Sequence, residues 1–127
     1  MSNPRILIVE DNPTDLKLVS ELLEWSGYDV AKAVNAAEAL EALETSRPDL
    51  ILMDIAMEGM NGLTLTRKLK ADGATRDIRI VALTALAMVG DEQAALDAGC
   101  GGYITKPIDT RRLAGQIAGL LKPEAHL

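Results

Sequence analysis

Glu10-Asp11, Asp54, Thr84 and Lys106 each follow a short strand-like run, and together they form a set that could do chemistry. Two or three carboxylates crowded in one place repel, and one would hold a proton unless a cation were present. Hard oxygen donors in small number suit Mg²⁺, which keeps several waters and bridges to phosphate oxygens. Lys106 adds a compact positive charge and Thr84 a hydroxyl donor, both fit partners for phosphoryl oxygens. In that company Asp54 reads as a nucleophile that forms an aspartyl phosphate. Plainer readings exist for each residue alone. Asp54 could be a strand terminus, Thr84 an ordinary strand residue and Lys106 a solvated surface lysine. Glu10-Asp11 could merely favour a helix N-terminus by about 0.3–1 kcal/mol. The five in order favour the chemical reading.

The elements that must position them are legible from the apolar pattern. Leu50-Ile51-Leu52-Met53 is an unbroken run ending on Asp54, as a strand buried on both faces requires. Arg5 to Glu10 and Ile78 to Leu83 read the same way, the second leading into Thr84. Tyr28 to Ala33 partly alternates and carries charge, which predicts an edge strand. Gly102 to Thr105 is a short last strand before Lys106-Pro107. Between these lie helical patterns. Asn12 caps a first helix with Pro13 at its first position and Leu16, Val19, Leu22 and Leu23 inward until Gly27. Asn35 caps a second, with Ala36, Leu40 and Leu43 inward. A third runs from about Leu63 to Ala71, and a fourth from about Gly90 to Ala98 with only Leu96 as a large apolar anchor. The last, Asp109 to about Leu121, shows Leu113, Ile117, Leu120 and Leu121 on one face. Its Gly115 and Gly119 each cost about 1 kcal/mol relative to Ala, as a weak helix or a partner's close-approach surface would tolerate.

Strand and helix alternate five times, which predicts an α/β fold with a mainly parallel sheet covered on both faces. In such folds ligands bind outside the carboxyl ends of the strands, where the polar residues lie. The 127 residues suffice for one domain, 1–127, with its core at 5–121 and a frayed tail at 122–127. A net charge of −6 argues against non-specific nucleic-acid binding. No apolar stretch approaches a membrane span, and Met1 to Arg5 does not have the layout of a signal peptide. The single cysteine, Cys100, makes no disulfide and suits a cytoplasmic location; it reads as a small buried residue rather than a redox sensor. His126, the one histidine, sits in the tail and reads as inert.

Four segments carry a family resemblance: Ile-Leu-Ile-Val-Glu10-Asp11-Asn, Leu-Ile-Leu-Met-Asp54-Ile-Ala-Met-Glu-Gly-Met-Asn-Gly, Leu-Thr84-Ala85 and Tyr-Ile-Thr-Lys106-Pro107. In this order and spacing they resemble the receiver domain of two-component response regulators over residues 5 to 121. The stretch from Thr84 to Glu92 is similar to single-domain regulators of the DivK type and to receivers of hybrid kinases. The resemblance implies a flavodoxin-like, doubly wound (βα)5 fold with strand order 2-1-3-4-5. It implies Asp54 as phosphoacceptor, with Mg²⁺ held by Asp11, Asp54, the Ala56 carbonyl and, through water, Glu10. Thr84 and Lys106 would bind phosphoryl oxygens, Tyr103 would be the switch aromatic, and the Lys106-Pro107 bond would be cis. Such a chain takes phosphate from a histidine kinase or histidine phosphotransfer protein, hydrolyses it slowly, and binds a downstream protein through its fourth helix, fifth strand and fifth helix. It has no DNA-binding output domain, and dimerisation stays open. The proline usual four residues after the phosphoacceptor is Glu58 here, and the apolar Ala56 and Leu86 leave the phosphate lifetime open. Two alternatives compete: a phosphate-independent binding module with a vestigial site, and a haloacid-dehalogenase-type phosphatase. The latter needs a second acid where Ala56 stands.

Overall fold

Strands whose side chains are apolar on both sides must be sandwiched between two helical layers. The computed structural model, which describes residues 3–55, 62–84 and 91–121, has that build. In chain order it runs β1 (Arg5–Val9), α1 (Pro13–Trp25), β2 (Asp29–Ala33), α2 (Ala36–Thr45), β3 (Leu50–Asp54), α3 (Gly62–Ala71), β4 (Arg79–Thr84), α4 (Asp91–Ala98), β5 (Gly102–Thr105) and α5 (Leu113–Leu121). The strands form one parallel sheet in the order β2-β1-β3-β4-β5. This is the expected flavodoxin-like arrangement.

Alternation along the strands sorts the core into two layers. Leu7, Val9, Ile51, Met53, Ile80 and Ala82 face one way, onto Ala39 of α2, Leu65 and Leu69 of α3 and Ala95 of α4. Ile6, Ile8, Leu50, Leu52, Val81 and Leu83 face the other, onto Val19 and Leu23 of α1 and Leu113 and Ile117 of α5. Full burial of each such Leu, Ile or Val contributes about 1.5–3 kcal/mol. The charged β2 is indeed an edge strand and the least covered of the long ones.

Local chemistry explains the helix ends. Asn12 Oδ1 accepts from the Thr14 and Asp15 N–H groups at 2.9 and 3.1 Å, with Pro13 at the first helical position. Asn35 Oδ1 accepts from Glu38 N–H, and the Glu38 carboxylate accepts from Val34 N–H. Gly27, with φ of 96°, turns the chain after α1 in a conformation that disfavours other residues.

Two expectations need correction. Leu96 does not anchor α4: it is 47% exposed, while Ala95 and Ala98 are buried. Leu96 lies about 100° around the helix from Ala95, so the face that meets α3 and β5 is built of methyl groups and the leucine points outward. The final helix starts at Leu113 rather than Asp109; a turn precedes it, in which the Asp109 carbonyl accepts from the Arg112 and Leu113 N–H groups. Gly115 and Gly119 are exposed, and a Cβ at either would meet no described atom within 4 Å beyond its chain neighbours and the nearby backbone of its own helix. Ala56, Glu58, Leu86, Gly90 and the tail 122–127 lie outside the described residues.

One close approach matters for the site. A Cβ on Gly62 would run into the Asp54 carbonyl oxygen and come within 2.7 Å of Ile55 Cα, so α3 begins directly against the end of β3. Thr66, fully buried one turn on, donates its hydroxyl to the Gly62 carbonyl at 2.7 Å. Gly62→Ala should therefore destabilise the fold by about 1–3 kcal/mol through backbone displacement, measured by urea unfolding. In the same assay Leu96→Ala should change stability by less than about 0.5 kcal/mol, whereas Leu113→Ala should cost about 2–5 kcal/mol.

Candidate functional site

The strand order reverses between β1 and β3: the chain leaves β1 for β2 on one side and returns to β3 on the other. A crevice opens outside the carboxyl ends at such a point, and there the chain has placed its acids. Glu10 follows β1 and is fully buried; Asp11 beside it is exposed; Asp54 ends β3 at 4% exposure. One carboxylate oxygen from each lies within 4.8 Å of the others. Hard oxygens gathered at this spacing are a donor set for a small divalent cation.

Lys106 brings the opposing charge. Its Nζ stands 2.5 Å from Glu10 Oε1, 3.1 Å from Asp15 Oδ2 and 3.5 Å from Asp54 Oδ2. The backbone delivers it there: Lys106 N–H donates to the Thr84 carbonyl at 2.7 Å, and the Lys106–Pro107 peptide is cis. Thr84 ends β4 at 4% exposure, paired with Thr105 of β5 and one residue beyond Leu83, the partner of Asp54. Tyr103 lies beside Ala82 in the sheet and is 39% exposed. Of the residues singled out from sequence, Glu10, Asp11, Asp54 and Lys106 thus converge. Thr84 stands at the same sheet edge, and Tyr103 two residues short of the end of β5. Ala56 falls outside the described residues.

Asp15 is the residue sequence reasoning missed. An acid in the first turn of a helix reads as a helix-dipole charge, and nothing in its spacing announces a partner 91 positions away. The signal available was its place one turn after Asp11, on the helix that starts at the crevice.

Burial and charge act together here. Desolvation and the neighbouring Asp54 carboxylate push Glu10 up to about 7, against the pull of Lys106. Lys106 is itself held above the usual lysine range: burial lowers it, but contacts with Glu10 and Asp15 and the Asp54 charge outweigh that. Away from the site, burial pushes the Cys100 thiol up, so it stays protonated and poorly reactive.

A carboxyl raised on folding binds a proton more tightly in the folded than in the unfolded chain, so its contribution to stability falls as pH rises between the two values. With a chelator present, unfolding free energy should decline from pH 4.5 to about 7 on account of Glu10. Glu10→Gln should flatten that decline, measured by denaturant titration across the range.

Comparison with known proteins agrees with this geometry. Residues 6–118 match the response regulator receiver domain family. The polar-differentiation response regulator DivK of Brucella anthropi is 44% identical over 116 residues, covering 91% of this chain and 94% of that protein. The receiver domain of a signal transduction histidine kinase from Syntrophus aciditrophicus superposes with a TM-score of 0.83 at 36% identity, covering 98% of both chains. That of a sensor histidine kinase from Pseudomonas aeruginosa, with a magnesium ion coordinated in its active-site cleft, gives 0.84 at 32% identity, over 94% of this chain and 98% of that one. No described helix is long and apolar enough to cross a membrane. A parallel sheet that gathers three acids and a lysine at its switch point, with matches of this extent, makes the chain a member of the response regulator receiver domain family.

Proposed function

We propose that the chain is a phosphorylation-dependent signalling switch in which Asp54 accepts a phosphoryl group from a phosphohistidine on a partner kinase or phosphotransfer protein. The observation that carries this reading is the meeting of Asp54 with Glu10, Asp11 and Lys106 at the sheet edge. An Asp54 carboxylate oxygen attacks phosphorus in line and the P–N bond breaks with its electron pair on the donor nitrogen; the ring, protonated on its other nitrogen or taking a proton from solvent, leaves as neutral imidazole. Glu10, Asp11 and Asp54 fit Mg²⁺ as a set of hard oxygen donors, with the Ala56 carbonyl assigned as a further ligand. The ion, when bound, would neutralise charge on the transferring group.

The remaining roles fall to the chain's own side chains. Lys106 offers N–H donors to phosphoryl oxygens, and Thr84 a hydroxyl. Glu10, buried against Lys106, orients the amine toward Asp54. Water later attacks phosphorus, the bond to Asp54 breaks, and carboxylate and inorganic phosphate are regenerated slowly. Thr84 drawn toward the phosphoryl group leaves space for Tyr103 to turn inward, and α4 is the element that responds. It is eight residues long and seated through alanines. Leu96 and Tyr103, both exposed, belong to the surface read by a downstream protein. A cytoplasmic site of action, with the modified surface read by a partner protein, completes the reading.

Incubation with Mg²⁺ and phosphoramidate should add one phosphate by intact mass, lost slowly on removal of the donor. Asp54→Asn should keep the fold and gain no mass. An unmodified wild-type protein, or an Asp54→Asn variant that still takes up phosphate, would overturn the proposal.

A further inference from the structure

The ammonium of Lys106 has three donors, and three carboxylates surround it: Glu10, Asp15 and Asp54. A phosphoryl oxygen arriving on Asp54 can take the side of the amine that faces Asp54 at 3.5 Å, but the shorter contacts to Glu10 and Asp15 pull the amine away from it. Glu10 is fully buried, and Asp54 is the residue being modified. Both also belong to the acid group suited to a divalent cation; Asp15 does not. Asp15 sits on α1, its N–H fixed by the Asn12 side chain, with its own side chain 30% exposed. It is therefore a fixed anion that competes for Lys106 from outside the cation set.

We propose that Asp15 is a positioning residue that draws Lys106 away from the phosphoryl group and so sets how much of the protein is phosphorylated. The inference rests on the phosphoacceptor reading of Asp54. Its sign follows from charge. Phosphorylation turns the single negative charge of Asp54 into nearly two, within reach of an amine that Asp15 also contacts at 3.1 Å. Asp15 thus favours the unmodified state twice over, by holding the lysine and by repelling the added charge. An asparagine there would keep the shape and one acceptor oxygen while removing the charge.

The experiment compares wild type, Asp15→Asn and Asp15→Glu under limiting phosphoramidate with Mg²⁺, reading the ratio of phosphorylated to free protein by intact mass. In loading, an Asp54 oxygen bonds to phosphorus, the P–N bond breaks, and nitrogen leaves as ammonia with the electron pair and a proton. In loss, water oxygen bonds to phosphorus and the bond to Asp54 breaks, leaving carboxylate and phosphate. Asp15→Asn should raise the ratio by roughly three- to tenfold, as expected for one charge removed a few ångströms from another at a partly exposed site. That rise should shrink at high salt, and Asp15→Glu, which restores the charge, should stay near wild type. A merely structural role for Asp15 would lower the ratio in step with the melting temperature and show no such salt dependence. Should Asp15→Asn fail to fold, Asp15→Ser, a residue favoured at helix starts, carries the same test. A ratio that is unchanged or lowered, or raised equally by Asp15→Glu, overturns the proposal. Absence of any adduct on wild type would instead overturn the phosphoacceptor reading itself.

Discussion

Buried carboxylates are what this architecture has to accommodate. Glu10 is wholly out of water and Asp54 nearly so, and an unpaired charge in that position costs several kcal/mol even after relaxation. The Lys106 amine offsets it, alongside the Asn12 N–H that donates to Glu10 Oε2, and much of the fold can be understood as the means of bringing that amine there. Lys106 follows β5, while Glu10 follows β1, three places away in the sheet. At about 4.8 Å per strand that is a span of roughly 14 Å, more than a lysine stem covers. The chain must lean inward after β5, and the hydrogen bond from Lys106 N–H to the Thr84 carbonyl fixes the backbone above β4. From there the side chain reaches all three acids.

The same constraint explains the tightness beneath the site. Asp54 can hold its place only if the strand beneath it does not shift, and β3 is buried along its whole length between neighbours in register. Gly62 lets α3 press on the backbone at the strand's end, and Thr66 secures that helix start. The opposite, amino-terminal edge of the sheet is tied separately. Arg5 donates through its backbone to Asp49 at 2.8 Å and through its guanidinium to Asp29 and Ser46. The sheet is packed tightly beneath the site, whereas α4 is seated through the small residues Ala95 and Ala98.

What the sequence revealed follows from which interactions are local. Apolar runs such as Leu50 to Met53 have only one stable use in a chain this size, so the parallel sheet and its helices were legible element by element. The ends of α1 and α2 were legible because Asn12 and Asn35 cap through bonds to residues two or three positions away. Leu96 misleads because apolar size does not fix the direction of a side chain. In an eight-residue helix with two buried alanines, period and packing distance decide the face, and small residues permit the closest approach. The start of the last helix shifted because the Asp109 carbonyl supports a turn as well as it would support a helix. Asp15 was invisible for the opposite reason from Leu50: its contact is made across the fold, and a surface acid on a helix has no pattern that marks it.

Asp15 also changes how the site's charge is read. With it, the site holds four carboxylates, three of them against the one ammonium, an excess of three negative charges if all are ionised. Such a centre attracts a divalent cation strongly and tolerates further negative charge poorly. Under the proposed reading the two properties are one. A phosphoryl group adds negative charge where it is already in excess, so cation occupancy and phosphorylation must favour each other to the same degree in free energy. Lys106 cannot supply that compensation alone, since its donors face carboxylates before any phosphate arrives. The acid on α1 is what tips the lysine from a ready phosphate clamp to a shared counter-charge. The modified state then depends on the cation more than the bare set of Asp54, Thr84 and Lys106 would suggest.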